Sequence, residues 1–278
     1  MKVCVNGELG DADELRISPL DHGLMVGDGV FETLRVYGGV PFAWTRHLVR
    51  LERSAAGLGL GVPPIATLRE QSDAVLSAND LSEARLRITI TGGPAPLGSE
   101  RGAVPPTVVI AASALTPWPP TANVVTVPWP RNERGATAGL KTISYAENVR
   151  ALAYAHEHGA GEAIFPNTRD ELCEATGSNV FLVRGGALLT PPAASGCLLG
   201  VTRALVLELA ATLGFTATET TLPLDALVNA DEAFLSSTTR EVQGIAHVDG
   251  VALPMAPGPI TAALAAAFTA LVADNLDP

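Results

Sequence analysis

A single lysine stands in the middle of a chain that otherwise carries its positive charge as arginine. The sequence contains two lysines, Lys2 and Lys141, and sixteen arginines. A lysine amine can lose its proton and attack a carbonyl carbon, whereas a guanidinium effectively keeps its proton. Lys141, close to Tyr145, is therefore a candidate for Schiff-base formation. Because an ordinary lysine is a surface cation, this hypothesis depends on the residues that follow in the chain.

Two later stretches could bind an anion. Residues 199–202 combine a glycine with the predicted start of a helix, where free backbone N–H groups attract a phosphate. Residues 236–239 are four hydroxyl side chains that follow a predicted strand. Either stretch alone is weak evidence, because most helix starts bind no phosphate and hydroxyl residues are common in turns. We therefore interpret them together with Lys141.

Composition excludes several classes of protein. The chain has 278 residues, 47% of them hydrophobic, which suits one large or two modest domains. A net charge of −11 argues against nucleic acid or an anionic membrane as partner, so an anionic ligand must be held by local arginines and amides. Three cysteines without metal-ligand spacing indicate a reducing, cytoplasmic compartment and no metal site. The N-terminus resembles a strand rather than a signal peptide, and the apolar run 260–273 is short for a membrane span.

Hydrophobic patterns in the first half predict a sheet and two helices. Alternation predicts strands at residues 2–6, 30–37, 84–91 and 107–112. Helical spacing predicts helices at about 45–58, capped by Thr45, and at 66–79. Along the strand at 84–91, Arg85 and Arg87 share one face. This face is open to two interpretations, contact with water or contact with an anionic ligand.

The second half is predicted to contain hairpins with helices between them. Strands are expected near residues 123–127, 162–165, 171–174, 178–183, 187–190 and 231–235. Helices are expected near residues 147–158, 201–213 and 260–274. Closely spaced prolines mark a linker at 116–122, so we predict an N-terminal domain at 1–115 and a C-terminal domain at 123–278. This order of elements indicates the α+β class.

Six blocks of the sequence carry a family resemblance. They lie at residues 22–32, 46–51, 140–148, 174–181, 199–203 and 231–239. In this order they resemble the class IV, fold-type IV pyridoxal-phosphate enzymes, which comprise branched-chain and D-amino-acid aminotransferases, (R)-amine transaminases and aminodeoxychorismate lyases. The resemblance covers nearly the whole chain. It implies a smaller N-terminal α/β domain, a larger β-barrel-like C-terminal domain with helices, and pyridoxal 5'-phosphate as cofactor.

The resemblance also implies a role for individual residues. Lys141 matches the lysine that forms the Schiff base, and Tyr145 matches the tyrosine beside the phenolic oxygen of the cofactor. Glu174 matches the carboxylate under the pyridine nitrogen, where a negative charge keeps the pyridinium protonated. The residues that match the phosphate site are Arg50, Val201 (through its backbone amide), Thr202 and Thr238. An arginine combined with helix-start amides suits a dianion.

The favoured activity is transamination between an amino acid and a 2-keto acid, through an internal aldimine, a carbanion and pyridoxamine phosphate. Residues 236–239 resemble the D-amino-acid group more than the branched-chain group, so D-amino acids are the expected donors, with (R)-primary amines as further candidates. The Arg-x-His carboxylate site of that group is missing from residues 94–101. The expected substrate residues are therefore Phe31, Arg35, Arg87 and Thr239, with one of the two arginines binding the substrate carboxylate.

Alternatives remain open at this point. One is an aminodeoxychorismate lyase that releases pyruvate and forms 4-aminobenzoate, and another is a branched-chain L-amino-acid aminotransferase. A binding module without activity is disfavoured, because the reactive lysine is intact. Family active sites lie at a dimer interface, so the resemblance implies a homodimer in which residues 20–30 serve the site of the neighbouring subunit.

Overall fold

Each half of the chain builds a sheet of its own, and the computed structural model describes every residue, Met1–Pro278. The chain divides into two units. Unit 1 contains Met1–Thr116, Leu140–Tyr145 and Asn275–Pro278, and unit 2 contains Pro117–Gly139 and Ala146–Asp274. The segment that carries Lys141 thus belongs to unit 1, although it lies inside the range 123–278 expected for the C-terminal domain. Both units combine helices with a sheet, and the predicted α+β class is confirmed.

Unit 1 contains a six-stranded antiparallel sheet. Its strands are β1 (Lys2–Val5), β2 (Glu8–Asp11), β3 (Gly29–Tyr37), β4 (Val40–Pro41), β5 (Ala84–Thr91) and β6 (Thr107–Ala114). They are ordered β2-β1-β6-β5-β3-β4. The predicted alternation in β5 is confirmed, because Leu86, Ile88 and Ile90 are buried while Arg85 and Arg87 are exposed. One face of the sheet is therefore core, and the other face carries the arginines.

The helices of unit 1 are α1 (His22–Val26), α2 (Trp44–Leu58) and α3 (Ile65–Ala78). Leu48 and Leu51 of α2 belong to the same buried cluster as the apolar residues of β3 and β5, and each such leucine contributes about 1.5–3 kcal/mol. The predicted cap at Thr45 is wrong. The residue that precedes α2 is Ala43, which makes no side-chain cap bond. The Thr45 hydroxyl instead donates to a carboxylate oxygen of Asp277 at 2.6 Å.

Unit 2 contains a nine-stranded sheet. Its strands are β7 (Thr121–Thr126), β8 (Glu162–Pro166), β9 (Leu172–Ala175), β10 (Asn179–Arg184), β11 (Ala187–Thr190), β12 (Ala217–Glu219), β13 (Glu232–Ser237), β14 (Glu241–Val248) and β15 (Val251–Ala252). The order is β12-β11-β10-β13-β14-β7-β8-β9, and β15 pairs with β14. Parallel pairs such as β7 with β8 are joined through a helix, as a parallel crossover requires.

The helices of unit 2 are α4 (Ala146–Glu157), α5 (Val201–Thr212) and α6 (Pro259–Asp274). Leu264 of α6 and Val206 of α5 are buried in one cluster with Phe181 and Phe234, whose rings stack at 4.8 Å. None of the helices combines the length and the apolar character that a membrane crossing requires.

Candidate active site

The backbone of Lys141 is fixed by strand β3 and helix α2 of unit 1. Phe31 donates its N–H to the carbonyl of Lys141 at 3.1 Å, and Ile143 donates to the carbonyl of Gly29 at 2.9 Å. The N–H of Lys141 donates to the hydroxyl of Ser54, in α2, at 3.1 Å. Residues 140–145 therefore extend the edge of the sheet, which explains why this segment belongs to unit 1.

The side chain of Lys141 lies against two aromatic rings. Its Nζ is 4.4 Å from the ring centroid of Phe31 and 5.9 Å from that of Tyr145. The two rings meet edge to face at 5.1 Å, so they form one aromatic wall beside the amine. The structure thus brings together three of the residues predicted from the sequence.

Arg87 contacts the same aromatic wall. Its guanidinium carbon is 3.7 Å from the ring centroid of Phe31, and its Nε donates to the hydroxyl of Thr89 at 3.1 Å. Arg87 stays partly exposed, yet partial loss of hydration at its guanidinium lowers its pKa, and Tyr145 opposes this shift. A carboxylate ligand would offset this loss. Arg87 is therefore a suitable anion-binding group next to Lys141.

Arg35 has a different environment, although it lies on the same face of the sheet. Its Nη2 is 3.6 Å from a carboxylate oxygen of Glu83, and its guanidinium lies 4.8 Å from the ring centroid of Tyr37. In the register of β3 and β5, Arg35 is opposite Arg85, whereas Thr33 is opposite Arg87. Of the two predicted carboxylate-binding arginines, only Arg87 shares an aromatic ring with Lys141.

Arg50 is held by a buried carboxylate. Its Nε and Nη2 donate to the two carboxylate oxygens of Glu32, each at 2.7 Å, and Nδ1 of His47 is 2.7 Å from one of these oxygens. Burial alone would raise the pKa of Glu32. The charge and hydrogen bonds of Arg50, and then those of His47, lower it by more, so the pKa lies far below its usual range. Burial lowers the pKa of His47.

Sequence reasoning missed Glu32 and His47 as site residues. A signal for Glu32 is present, because it alternates with Val30 and Leu34 on the apolar face of a strand. A carboxylate at such a position is rarely buried without a partner. His47 precedes Arg50 by one helical turn, so both side chains lie on the same face of α2.

Unit 2 contains the predicted carboxylate, Glu174, in strand β9. One of its oxygens accepts the N–H of Leu198 at 2.9 Å, and the other is 3.4 Å from Nε of Arg131. Nη1 of Arg131 also donates to the side-chain oxygen of Asn148 at 3.2 Å, and Asn148 donates to the carbonyl of Thr176. Arg131 was not predicted. It lies in an irregular segment, where no periodic pattern marks it.

The start of helix α5 offers backbone amides to a ligand. Val201 and Thr202 are its first residues, and Gly200 precedes it without a side-chain cap bond. A Cβ on Gly200 would meet the side-chain oxygen of Asn179, so a larger residue there would require the Asn179 side chain to move. An uncapped helix start presents N–H groups and the positive end of the helix dipole. Anion binding at this position is consistent with the prediction.

Hydroxyl groups lie on the neighbouring strands of unit 2. Thr238 and Thr239 are half-buried in the turn between β13 and β14. The hydroxyls of Ser178 and Ser236 are buried without a hydrogen-bond partner. Asn179, next to Ser178, pairs with Ser236 across β10 and β13. Buried hydroxyls without a partner are unfavourable unless a ligand completes them. Ser236 belongs to the hydroxyl stretch 236–239 noted in the sequence, whereas the sequence analysis gave Ser178 no role.

Group by group, these side chains fit pyridoxal 5'-phosphate. Lys141 offers an amine to the aldehyde, and Glu174 offers a negative charge to the ring nitrogen. Arg50 in unit 1, and separately the amides at the start of α5 and the unpaired hydroxyls in unit 2, are donors of the kind that suit a phosphate dianion. The donor set of each unit is therefore compatible with a part of this cofactor.

Comparisons with known proteins agree with this chemistry. The family model described as "Amino-transferase class IV" matches residues 29–248. A protein of Methanocaldococcus jannaschii named "Putative branched-chain-amino-acid aminotransferase" is 35% identical over 90% of this chain and 88% of its own length. The D-alanine aminotransferase of Bacillus licheniformis is 33% identical over 94% of this chain and 93% of its own length. The structure of the Escherichia coli branched-chain amino acid aminotransferase superimposes with a TM-score of 0.91 at 30% identity, covering 97% of this chain and 93% of that chain.

Proposed function

The chain belongs to the class IV aminotransferase family, and from this premise we propose that it transfers the amino group of D-amino acids to a 2-keto acid. The protein is an enzyme, and its cofactor is pyridoxal 5'-phosphate. One observation supports an amino acid, of either hand, as the substrate. Nζ of Lys141 and the guanidinium of Arg87 both contact the ring of Phe31, at 4.4 and 3.7 Å, so an amine group and a carboxylate group of one small substrate have adjacent partners.

We assign the cofactor residues as follows. Lys141 holds the cofactor through Nζ, Tyr145 lies beside it, and Glu174 binds the ring nitrogen. The proposed phosphate-binding residues are Arg50, Val201, Thr202 and Thr238. When bound, the cofactor supplies an electrophilic aldehyde carbon and a ring that accepts the electron pair of a broken C–H bond.

The chemical work of the chain itself falls mainly on Lys141. Its neutral amine removes the proton from the α-carbon of the donor, holds it on Nζ, and returns it at the next stage. The negative charge of Glu174 would keep the ring nitrogen protonated, and the positive charge on that nitrogen lets the ring accept electron density. The wall formed by Phe31 and Tyr145 limits the access of water to the amine.

Arg87 binds the carboxylate of the substrate in this proposal, and Phe31 and Thr239 also line the substrate site. Two features support D-amino acids. Residues 236–239 resemble the D-amino-acid group, and the Bacillus licheniformis relative bears the name D-alanine aminotransferase. A branched-chain L-amino acid is the second candidate, because the archaeal relative has the higher identity and a branched-chain name.

We also propose a homodimer in a reducing, cytoplasmic compartment. Leu24, Met25 and Val26 of α1 are 65%, 47% and 47% exposed, and an apolar patch of this kind suits a contact with a second copy. All three cysteines are free and buried, which supports a reducing environment.

A half-reaction scan tests the substrate proposal. The purified holoenzyme is mixed with one amine at a time, and loss of the visible cofactor absorbance is followed. We expect D-alanine to react at least about tenfold faster than L-leucine or L-valine, since handedness alters the whole set of contacts. A faster reaction with L-leucine supports the branched-chain activity. Release of pyruvate from aminodeoxychorismate without a keto acid acceptor supports lyase activity, and no response to any amine contradicts transamination.

Replacing Arg87 tests the carboxylate contact. We expect Arg87→Ala to lower kcat/KM for D-alanine about 10- to 100-fold, because a charge-assisted hydrogen bond is lost. The reaction of (R)-1-phenylethylamine, which has no carboxylate, should stay within about threefold of wild type. Arg85→Ala, on the same strand face, is the matched control. Equal losses in the two variants, or unchanged kinetics with D-alanine, would exclude Arg87 from the site.

A further inference from the structure

A buried carboxylate lies on the apolar face of the unit 1 sheet. We propose that Glu32, supported by His47, is a positioning residue that fixes the guanidinium of Arg50 for the phosphate group of the cofactor. This inference rests on the proposed role of Arg50 as a phosphate ligand. It adds to that role the reason why the guanidinium takes one orientation.

The contact between Glu32 and Arg50 restrains every degree of freedom of the guanidinium. Both carboxylate oxygens are engaged, one with Nε and one with Nη2, each at 2.7 Å. This paired geometry fixes the plane of the guanidinium and hence the directions of all five of its N–H bonds. Glu32 itself is fully buried, and Val30 and Leu34 on either side of it are also fully buried, so packed side chains surround the carboxylate.

His47 restrains the carboxylate from a second side. Its Nδ1 is 2.7 Å from the Glu32 oxygen that also accepts from Nη2 of Arg50. Burial lowers the pKa of His47, the contact with Glu32 opposes this shift, and the positive charges of Arg50 and Lys141 add to it. The ring is therefore neutral near pH 7, and its Nδ1–H donates to the carboxylate without adding a net charge.

Helix α2 connects this cluster to Lys141. Ser54 follows Arg50 by four residues, so the two side chains lie on the same face of the helix. The hydroxyl of Ser54 accepts the N–H of Lys141 at 3.1 Å. The face of α2 that carries Arg50 is thus the face that holds the backbone of Lys141, and the Glu32 cluster belongs to the same part of unit 1 as the reactive amine.

Stability alone gives a poor reason for this arrangement. A buried ion pair contributes little compared with apolar residues of similar volume, because both charges lose their hydration. The arrangement is reasonable if an oriented cation is needed for a dianion. Glu32 also offsets the charge of Arg50, which keeps the buried guanidinium tolerable when no phosphate is bound.

The experiment compares two aldehydes that differ only in the phosphate. Apoprotein is titrated with pyridoxal 5'-phosphate and, separately, with pyridoxal, and the cofactor absorbance gives both Kd values. We expect Glu32→Gln to raise the Kd for pyridoxal 5'-phosphate about 10- to 100-fold while the Kd for pyridoxal changes by less than about threefold. Asp73→Asn is the matched control, because it removes an exposed arginine pair of the same unit, in which Nε of Arg69 is 3.0 Å from both oxygens.

A second variant at Glu32 distinguishes the position of the carboxylate from its charge, and it provides a test if Glu32→Gln does not fold. Glu32→Asp keeps the negative charge but withdraws it by one methylene, and thermal unfolding shows whether each variant is folded. A selective loss of pyridoxal 5'-phosphate affinity in the aspartate variant supports the inference. Equal losses for both aldehydes, or no loss in a folded variant, overturn it. If wild-type apoprotein binds neither aldehyde, the proposed function fails instead, which is a distinguishable result.

Discussion

In each unit one arginine–carboxylate pair belongs to the proposed cofactor site, and the two pairs reverse the roles of their partners. In unit 1 the carboxylate of Glu32 holds Arg50, and the arginine is the proposed ligand group. In unit 2 the contacts of Arg131 hold Glu174, and the carboxylate is the proposed ligand group. The distances differ as well, with two contacts of 2.7 Å in the first pair and one of 3.4 Å in the second.

The surroundings of the two carboxylates explain this difference. The side chain of Glu32 is 0% exposed and its partners are buried side chains, so its charge must be balanced by close contact. The side chain of Glu174 is 13% exposed, and a backbone amide, that of Leu198, fixes one of its oxygens. The close pairing of Glu32 thus follows from its full burial, whereas Glu174 keeps part of its surface open to a ligand. The two pairs should therefore fail in different ways when they are broken.

The largest effect is expected from Glu174→Gln. A glutamine cannot place a negative charge at the ring nitrogen, so we expect kcat to fall about 10²- to 10³-fold while the cofactor remains bound. Glu32→Gln should show the opposite split, with weak cofactor binding and kcat within about tenfold of wild type when the cofactor is saturating. Steady-state kinetics at several cofactor concentrations separates the two. If both variants lose only affinity for the cofactor and keep their kcat, Glu174 does not act on the ring nitrogen in the way proposed, and the two carboxylates do not differ in role.

A smaller effect is expected from Arg131→Gln. The substitution removes the cation beside one oxygen of Glu174 and the bond to Asn148, while the Leu198 amide remains. We expect kcat to fall about tenfold, which corresponds to roughly 1.4 kcal/mol. Arg150→Gln is the matched control, because Arg150 lies in the same unit, half-exposed over the ring of Trp129. Equal activity in the two variants would mean that strand pairing and the amide alone position Glu174.

Local patterns were sufficient to predict much of the fold. Alternation in β5 located its buried and exposed faces, and the helical stripe of α2 was found because both signals lie in consecutive residues. The cap of α2 was mispredicted for a non-local reason. Asp277 lies 232 positions further along the chain and accepts the Thr45 hydroxyl, so no local rule could identify it.

The candidate site was predicted unevenly for the same physical reason. Lys141 was found from its chemical type, since it is isolated among arginines. Glu32 carried a usable signal, a charge at a core position of a strand, and that signal was overlooked. Ser236 was noted only as part of the hydroxyl stretch 236–239. Arg131 and Ser178 carry no signal, because their relevance comes from contacts, or from the lack of them, between distant parts of the chain. Sequence identifies reactive groups more readily than the groups that position them.

Acid should destabilise the Glu32–Arg50 pair of unit 1 more than the Glu174–Arg131 pair of unit 2, because only the unit 1 cluster includes a histidine. The pKa of His47 is lowered from its ordinary value of 6.5, and that of Glu32 is lowered from 4.5. For both groups the unfolded chain binds more protons than the folded chain, so stability is lost as the pH falls, first below about 6.5 and then below about 4.5. The measurement is the Tm of the apoprotein between about pH 7.5 and about pH 5.5. We expect the Tm of His47→Gln to fall less than that of wild type over this pH range. The control is His247→Gln, since the ring of His247 is hydrogen-bonded to Asn123 in unit 2, and its Tm should fall as much as that of wild type. An unchanged decrease in the His47 variant would show that the Glu32 cluster does not set the response of unit 1 to acid.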